Sequence, residues 1–373
     1  MLTFSELGVR KEYIKALKEL GIQTPTEIQC KTIPELLDSR KDFIGLAQTG
    51  TGKTAAYGIP ILQSLSADSP VIQALILAPT RELVQQIKKQ LFKFTKYKSN
   101  TRIFVEAVYG GEKIERQINS LKRTTHIVVA TPGRLLDLIE RGELNLKQIT
   151  TLVLDEADEM LSMGFKQDLN RILKYTSGNR NTWLFSATMP EEIQRIVKTY
   201  MDANTIRVEV NKNTLVNANI THQFIKTTIK DKVHLLTQIL EKRFNDRGII
   251  FCRTKAGTQK LTKILKEEGF SVAALEGDMQ QKERDKVMRA FKNKSLRVLI
   301  STDVSARGID VSNLAFVIHH QLPEKLEYYT HRSGRTARAG KTGFSIALIL
   351  PSELQRIYEI QKDLGIKFIE IGF

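Results

Sequence analysis

The chain has 373 residues, 41% hydrophobic and 26% charged, which excludes a wholly disordered or fibrous protein and, at roughly 100–200 residues per domain, makes two domains the expectation. No window approaches ~18 uninterrupted apolar residues, and MLTFSELGVRKEY lacks the apolar core of a signal peptide, so a cytoplasmic protein without a membrane segment is expected. The 57 Lys and Arg against 41 Asp and Glu leave a net charge of +16 and point to a polyanionic partner; residues 1–210 carry 29 basic and 24 acidic side chains, so most of the excess lies in residues 211–373.

In chain order, SELGVRKEYIKALKELG (Ser5 to Gly21) predicts an amphipathic helix with Ser5 as its N-cap. Cys30, like Cys252 later, has no companion at metal-ligand spacing, and both are expected to be buried thiols. The strand-like DFIGL then runs into AQTGTGKT (Ala47 to Thr54), a full phosphate-loop pattern at a strand-to-helix junction. Gly50 and Gly52 allow the tight turn by which the backbone N–H groups of Gln48, Thr49, Gly50, Thr51 and Gly52 can face phosphate oxygens. Lys53 would reach the terminal phosphates of a nucleotide and Thr54 would ligate Mg²⁺. ALILAPT (Ala74 to Thr80), HIVVATP (His126 to Pro132), TLVLDEAD (Thr151 to Asp158) and WLFSAT (Trp183 to Thr188) read as buried strands ending in polar loops. Helical stretches such as Arg81 to Tyr97 separate them.

The third of these strands ends in carboxylates: Asp155 suits the Mg²⁺ shell, and Glu156 beside it suits the general base for an attacking water. Residues 203–220 are Asn-rich without helical period and read as a linker from about 203, with the boundary near Asn211. GIIFCRT, SVAALEGD, RVLISTD and FSIALIL then repeat the alternation, giving an α/β chain of two mostly parallel sheets. HRSGRTARAG (His331 to Gly340) spaces Arg332, Arg335 and Arg338 for roughly one face of a helix.

Asp155-Glu156-Ala157-Asp158 together with the phosphate loop resembles the DEAD-box family of ATP-dependent RNA helicases, and the rest of the chain agrees from Phe4 to the final helix. The resemblance implies two RecA-like domains, each a mostly parallel sheet covered by helices on both faces: residues 1–210, with an adenine-recognition extension over 1–30, and residues 211–373. It makes Gln29 the adenine-reading glutamine and Phe4 the stacking aromatic. Pro79 and Arg81 of PTREL, Gly111, and Thr131 and Arg134 of TPGR would contact RNA, as would Arg253, Gly277 and Thr302 of the second domain. Ser186 and Thr188 would link the ATP state to strand separation. Asp310 would bind the ribose, and Arg335 and Arg338 would be arginine fingers stabilising the charge that builds up in phosphoryl transfer.

Three positions depart from the family pattern: Glu276, Ser305 and Ser333. Arg81, Thr131, Arg134, Arg253, Gly277 and Thr302 all fall at strand ends or helix starts, where backbone-directed phosphate contacts are made with strong salt dependence and weak sequence preference. His319 and His320 lie in an apolar strand and read as core, as does Trp183; Tyr328 and Tyr329 read as packing their own helix. The expected activity is hydrolysis of ATP with Mg²⁺ coupled to local unwinding of short RNA duplexes or remodelling of RNA–protein complexes. A monomeric core and recruiting proteins are expected. The rivals are an ATP-gated RNA clamp, told apart by slow turnover, and a DNA helicase, told apart by comparing RNA and DNA stimulation.

Overall fold

A computed structural model describes residues 2–48, 50–98, 102–176, 178, 180–210, 219–306, 314–337 and 342–372. The chain divides into two compact units, residues 1–210 and 211–373. The first unit runs α1 (Lys11–Glu19), α2 (Glu27–Asp38), β1 (Phe43–Leu46), α3 (Lys53–Ser64), β2 (Ala74–Leu77), α4 (Arg81–Phe94), β3 (Val105–Val108), α5 (Ile114–Leu121), β4 (Ile127–Ala130), α6 (Pro132–Glu140), β5 (Thr151–Asp155), α7 (Ala157–Ser162), α8 (Lys166–Tyr175), β6 (Asn181–Ser186), α9 (Glu191–Tyr200) and β7 (Ile206–Glu209). The second runs β8 (Ile220–Lys226), α10 (Lys232–Lys242), β9 (Gly248–Phe251), α11 (Lys255–Glu267), β10 (Val272–Leu275), α12 (Gln281–Lys292), β11 (Val298–Ser301), α13 (Asp303–Ala306), β12 (Phe316–His319), α14 (Leu326–Ser333), β13 (Gly343–Ile349), α15 (Leu354–Leu364) and β14 (Phe368–Glu370).

Among the described residues each unit holds one sheet, ordered β3-β4-β2-β5-β6-β1-β7 and β10-β11-β9-β12-β13-β8-β14. Every adjacent pair is parallel. Parallel neighbours need crossovers, and here the crossovers are helices that cover both faces. Successive strand residues therefore enter opposite cores. In β2 and β5, Ile76 and Val153 join the cluster under α1 and α4, while Leu75, Leu77, Leu152 and Leu154 join the one under α6 to α9. α4 shows why such a segment is helical: Val84, Ile87, Leu91 and Phe94 recur at helical spacing and are buried, each contributing about 1.5–3 kcal/mol.

The strands read from apolar runs are all present, and these are two RecA-like domains. Four further strands, β3, β7, β8 and β14, carry no continuous apolar run to mark them. All are short or mixed in polarity and take their definition from a neighbour rather than from their own pattern. Residues 206–209, assigned to the linker, form β7 because β1 offers them a parallel edge and the core takes Ile206 and Val208. The first helix begins at Lys11, not near Ser5. Residues 3–8 instead make a turn in which Thr3 Oγ1 accepts from the Glu6 N–H and the Glu6 carboxylate accepts from the Thr3 N–H, closed by Gly8 at φ +83°. The arginine run is not one helix face either. α14 stops at Ser333, Gly334 caps it, and Arg335 lies in the turn beyond. No helix among the described residues is long and apolar enough to cross a membrane.

Candidate active site and nucleic-acid interface

A parallel sheet gathers its loops at the C-terminal ends of its strands. In the first unit the phosphate loop follows β1, the acidic motif ends β5 and Ser186 ends β6, and these three strands are neighbours. Pro79 and Arg81 follow β2, Gly111 follows β3, and Thr131 and Arg134 follow β4, and these three are neighbours as well. One edge of one sheet thus carries two sets of residues, a nucleotide half expected to hold ATP and a strand-contacting half expected to meet RNA, which join where β2 pairs with β5.

In the nucleotide half, Gly50 and Gly52 have φ of +84° and +93°, the left-handed turn the loop requires. The Lys53 ammonium is buried and donates to the Ala47 carbonyl at 2.9 Å, and Thr51 Oγ1 donates to the Gln48 carbonyl at 2.8 Å. Gln29 is buried, and both ends of its amide bond the protein: Oε1 accepts from the Thr26 N–H at 2.9 Å, and Nε2 donates to the Gly52 carbonyl at 3.1 Å. It therefore braces the start of α2 against the loop, and a Cβ at position 52 would lie 2.4 Å from its Nε2. Phe4, expected from the resemblance to be the stacking aromatic, is 3% exposed and belongs to the same core cluster as Leu7, Val9 and Tyr13, because the turn at 3–8 folds it onto the core.

Asp155 is buried at the end of β5. Its Oδ2 accepts from the Tyr57 hydroxyl at 2.8 Å, and its Oδ1 has no hydrogen-bond partner. Burial raises its pKa, opposed first by the charge of Lys53 and then by the Tyr57 bond. Tyr57 was not foreseen; it sits one helical turn after Lys53, and that spacing was the available signal. Glu156 adopts the left-handed conformation at φ +52°, a sparsely populated state for a residue with a side chain. Asp158 ties this strand end to the next. Its Oδ2 accepts from the Thr188 N–H at 2.9 Å and the Thr188 hydroxyl at 2.8 Å, and its own N–H donates to Ser186 Oγ at 3.2 Å. The Ser186 carbonyl in turn accepts from the Ala47 N–H at 3.0 Å.

In the strand-contacting half, Thr80 Oγ1 caps α4 by accepting from the Leu83 N–H. Arg81 lies 4.6 Å above the Tyr109 ring and donates to the Gly111 carbonyl at 3.4 Å; both terminal guanidinium nitrogens of Arg134, Nη1 and Nη2, donate to the Glu112 carbonyl at 3.1 Å. Gly111 has φ +82°.

The second unit repeats this half on β10, β11 and β9, which are neighbours in the same sense. Gly277, Thr302 and Arg253 follow them and line one pocket of about 370 Å³ with Tyr328 and Arg332. Arg332 is a structural side chain: 2% exposed, it donates to Asp303 Oδ2 at 2.7 Å and to the Gln321 carbonyl at 2.8 Å. Ser305 Oγ is 3.0 Å from Thr302 Oγ1, Ser333 Oγ is 2.8 Å from Ser345 Oγ, and Glu276 accepts from Gln259 at 2.8 Å, so each departure from the family pattern has a local polar partner. His319 and Trp183 are core, as read; Tyr329, expected to pack its own helix, is core too, its hydroxyl 2.7 Å from His222 Nδ1; Cys252 is buried, while Cys30 is only half-buried. Thr49, Asp310 and Arg338 lie outside the described residues.

The two sheets and the loop after β1 place the chain among P-loop proteins with paired RecA-like domains. A model described as DEAD/DEAH box helicase matches residues 26–196, and one described as helicase conserved C-terminal domain matches residues 231–340. The chain is 42% identical over 362 residues to a protein named DEAD-box ATP-dependent RNA helicase CshA from Geobacillus kaustophilus, covering 97% of this chain and 76% of that one. It is also 42% identical over 371 residues to ATP-dependent RNA helicase CshA from Limosilactobacillus reuteri, at 99% and 73% coverage. Among solved structures it superposes on S. cerevisiae Dbp5 bound to RNA and ADP BeF3 with a TM-score of 0.89 and 31% identity, over 99% of this chain and 95% of that one. The chain belongs to the DEAD-box helicase family, as the residues from Asp155 to Asp158 had indicated.

Proposed function

We infer that the protein is an ATP-dependent RNA helicase, an RNA-stimulated ATPase that separates short duplexes locally or remodels RNA–protein complexes. The observation that carries this is the shared sheet edge: the strand end bearing Asp155 and Glu156 is hydrogen-bonded through Asp158 to Thr188 and Ser186, and the residues that would hold RNA stand on the adjoining strands.

Lys53 and the loop residues would bind the phosphates, and Glu156 would orient and deprotonate the attacking water. Gln29 would read adenine with the N–H and lone pair that its brace leaves over, and Phe4 would serve the base only through an edge of its ring. The donor set fits a hard dication, since the unpartnered Asp155 Oδ1 is a buried carboxylate oxygen that a cation would satisfy. Thr54 and Asp155 would hold Mg²⁺, which when bound neutralises phosphate charge. Residues 1–210 would form the ATP-binding domain; from residues 211–373, Arg335 and Arg338 would serve as arginine fingers and Asp310 as the ribose contact. Pro79, Arg81, Gly111, Thr131, Arg134, Arg253, Gly277 and Thr302 would grip the RNA backbone. We place the protein in the cytoplasm, where ATP and RNA are both at hand, as a monomer directed by recruiting proteins.

The test is steady-state ATP hydrolysis with and without single-stranded RNA. RNA should stimulate turnover severalfold, more than DNA of the same sequence does; turnover indifferent to RNA would overturn the reading.

A further inference from the structure

A second basic feature on the first unit takes no part in the sites above. A groove of about 1290 Å³ is walled by α4, β3 and α5, and β3 is the edge strand of its sheet. Seven Lys and Arg side chains line it against two carboxylates, Glu106 and Glu112. Two of the seven are paired, Lys88 with Glu106 at 2.9 Å and Lys96 with Glu19 outside the groove, while Lys89, Lys93 and Arg116 are exposed. The same walls hold Phe92 and Phe104, 73% and 44% exposed. A single exposed phenylalanine needs no explanation, but two in one cationic groove are the combination by which proteins hold single-stranded nucleic acid: charge follows the backbone and rings stack on bases.

The groove also has a defined neighbour. Tyr109 and Glu112 line it, and these are the residues that hold Arg81 and Arg134: the Arg81 guanidinium lies over the Tyr109 ring, and Arg134 donates twice to the Glu112 carbonyl. A strand gripped by Arg81 and Arg134 therefore lies at the groove's wall. We propose that the groove holds single-stranded RNA continuing beyond the segment that Arg81 and Arg134 grip, with phosphates on Lys89, Lys93 and Arg116 and bases against Phe92 and Phe104. An acidic peptide would meet the same charge, but the continuity with the two arginines favours RNA. The inference rests on the RNA-binding reading above and extends its length, making long strands bind more tightly than the strand-contacting set alone would allow.

The experiment uses the full chain with a non-hydrolysable ATP analogue and labelled oligouridine of about 6 and about 20 nucleotides, lengths that bracket usual single-strand site sizes. The K89A/K93A/R116A variant should bind the long strand about tenfold more weakly, with the slope of log K against log salt reduced by about 2, since each single-strand phosphate contact contributes about 0.7. F92A/F104A should weaken the long strand by at least about thirtyfold at unchanged salt slope. Both variants should bind the short strand like the wild type, which also shows that they fold. Unchanged affinity for the long strand, or an equal fall for both lengths, would overturn the proposal. So would polyglutamate that binds the wild type and not the triple variant while RNA affinity is the same in both. A wild type that does not bind the short strand would defeat the helicase reading; a loss confined to the long strand in the variants would still support the groove.

Discussion

Glu156 is the residue on which the proposed chemistry turns, and its backbone is strained. At φ +52° it costs about 1–3 kcal/mol, a conformation kept only where the surroundings enforce it. Glu156→Gln leaves Asp155 and the backbone in place and removes only the basic group. Hydrolysis should fall by at least two orders of magnitude while ATP still binds, read as single-turnover rate against nucleotide affinity; near-normal turnover would take the role away from Glu156. The phosphate loop and the acidic strand end were legible because their chemistry demands fixed residue types at fixed spacing. Gln29, Phe4 and Arg332 were only partly so. What decides each is where the chain folds back: Gln29 onto the Gly52 carbonyl, Phe4 onto the core, Arg332 onto Asp303. Those contacts bridge 23 to 29 residues in two of the cases, beyond any local pattern.

At the scale of elements, the ends of β5 and β6 are joined by the Asp158 carboxylate. Thr188→Ala removes the hydroxyl bond and keeps the N–H bond, costing about 1 kcal/mol of local stability. ATPase activity should persist within a few-fold while duplex separation falls by tenfold or more, measured on the same preparation. Equal losses would deny the link any role in coupling. The second sheet makes a separate prediction. Burial lowers the pKa of His222 and His320 to about 4 and holds that of His319 well below its ordinary value. The unfolded rings titrate near 6.5, so between pH 6.5 and about 4 the unfolded chain takes up more protons. The stability these rings allow is whole above pH 6.5 and is lost as pH falls, by up to about 1.4 kcal/mol per pH unit for each. The single tryptophan, Trp183, lies in the first unit, so in urea at pH 5 far-ultraviolet ellipticity should fall before Trp183 fluorescence changes, and far less so at pH 7. Coincident curves with unmoved midpoints at both pH values would refute it. β3, β7, β8 and β14 were illegible for the related reason that a short strand is defined by the strand beside it, whereas the fully apolar runs declared themselves.

For the whole molecule, binding linkage requires that ATP and RNA raise each other's affinity by the same factor, typically about 5–150-fold for coupled sites. Titrating Glu156→Gln with each ligand in the presence and absence of the other should return equal factors, and a factor of one in either direction would leave an ATPase whose basic surface serves another partner. The two-sheet plan was legible because the apolar runs recur in both halves; the strand order was not, since parallel crossovers leave no mark on the sequence. That order sets Gly111, Thr131 and Arg81 just after β3, β4 and β2, and Gly277, Thr302 and Arg253 just after β10, β11 and β9, the same three places in each sheet. On the proposed reading, a chain that presents one grip twice is a bivalent ligand for its own substrate. Each half can then bind loosely, because the second meets the strand at a tethered concentration in the millimolar range and the pair can hold 10²–10⁴-fold more tightly than either alone. Release needs only that the two grips cease to fit one strand together, so a modest change in the nucleotide half can end an association that neither half would sustain alone.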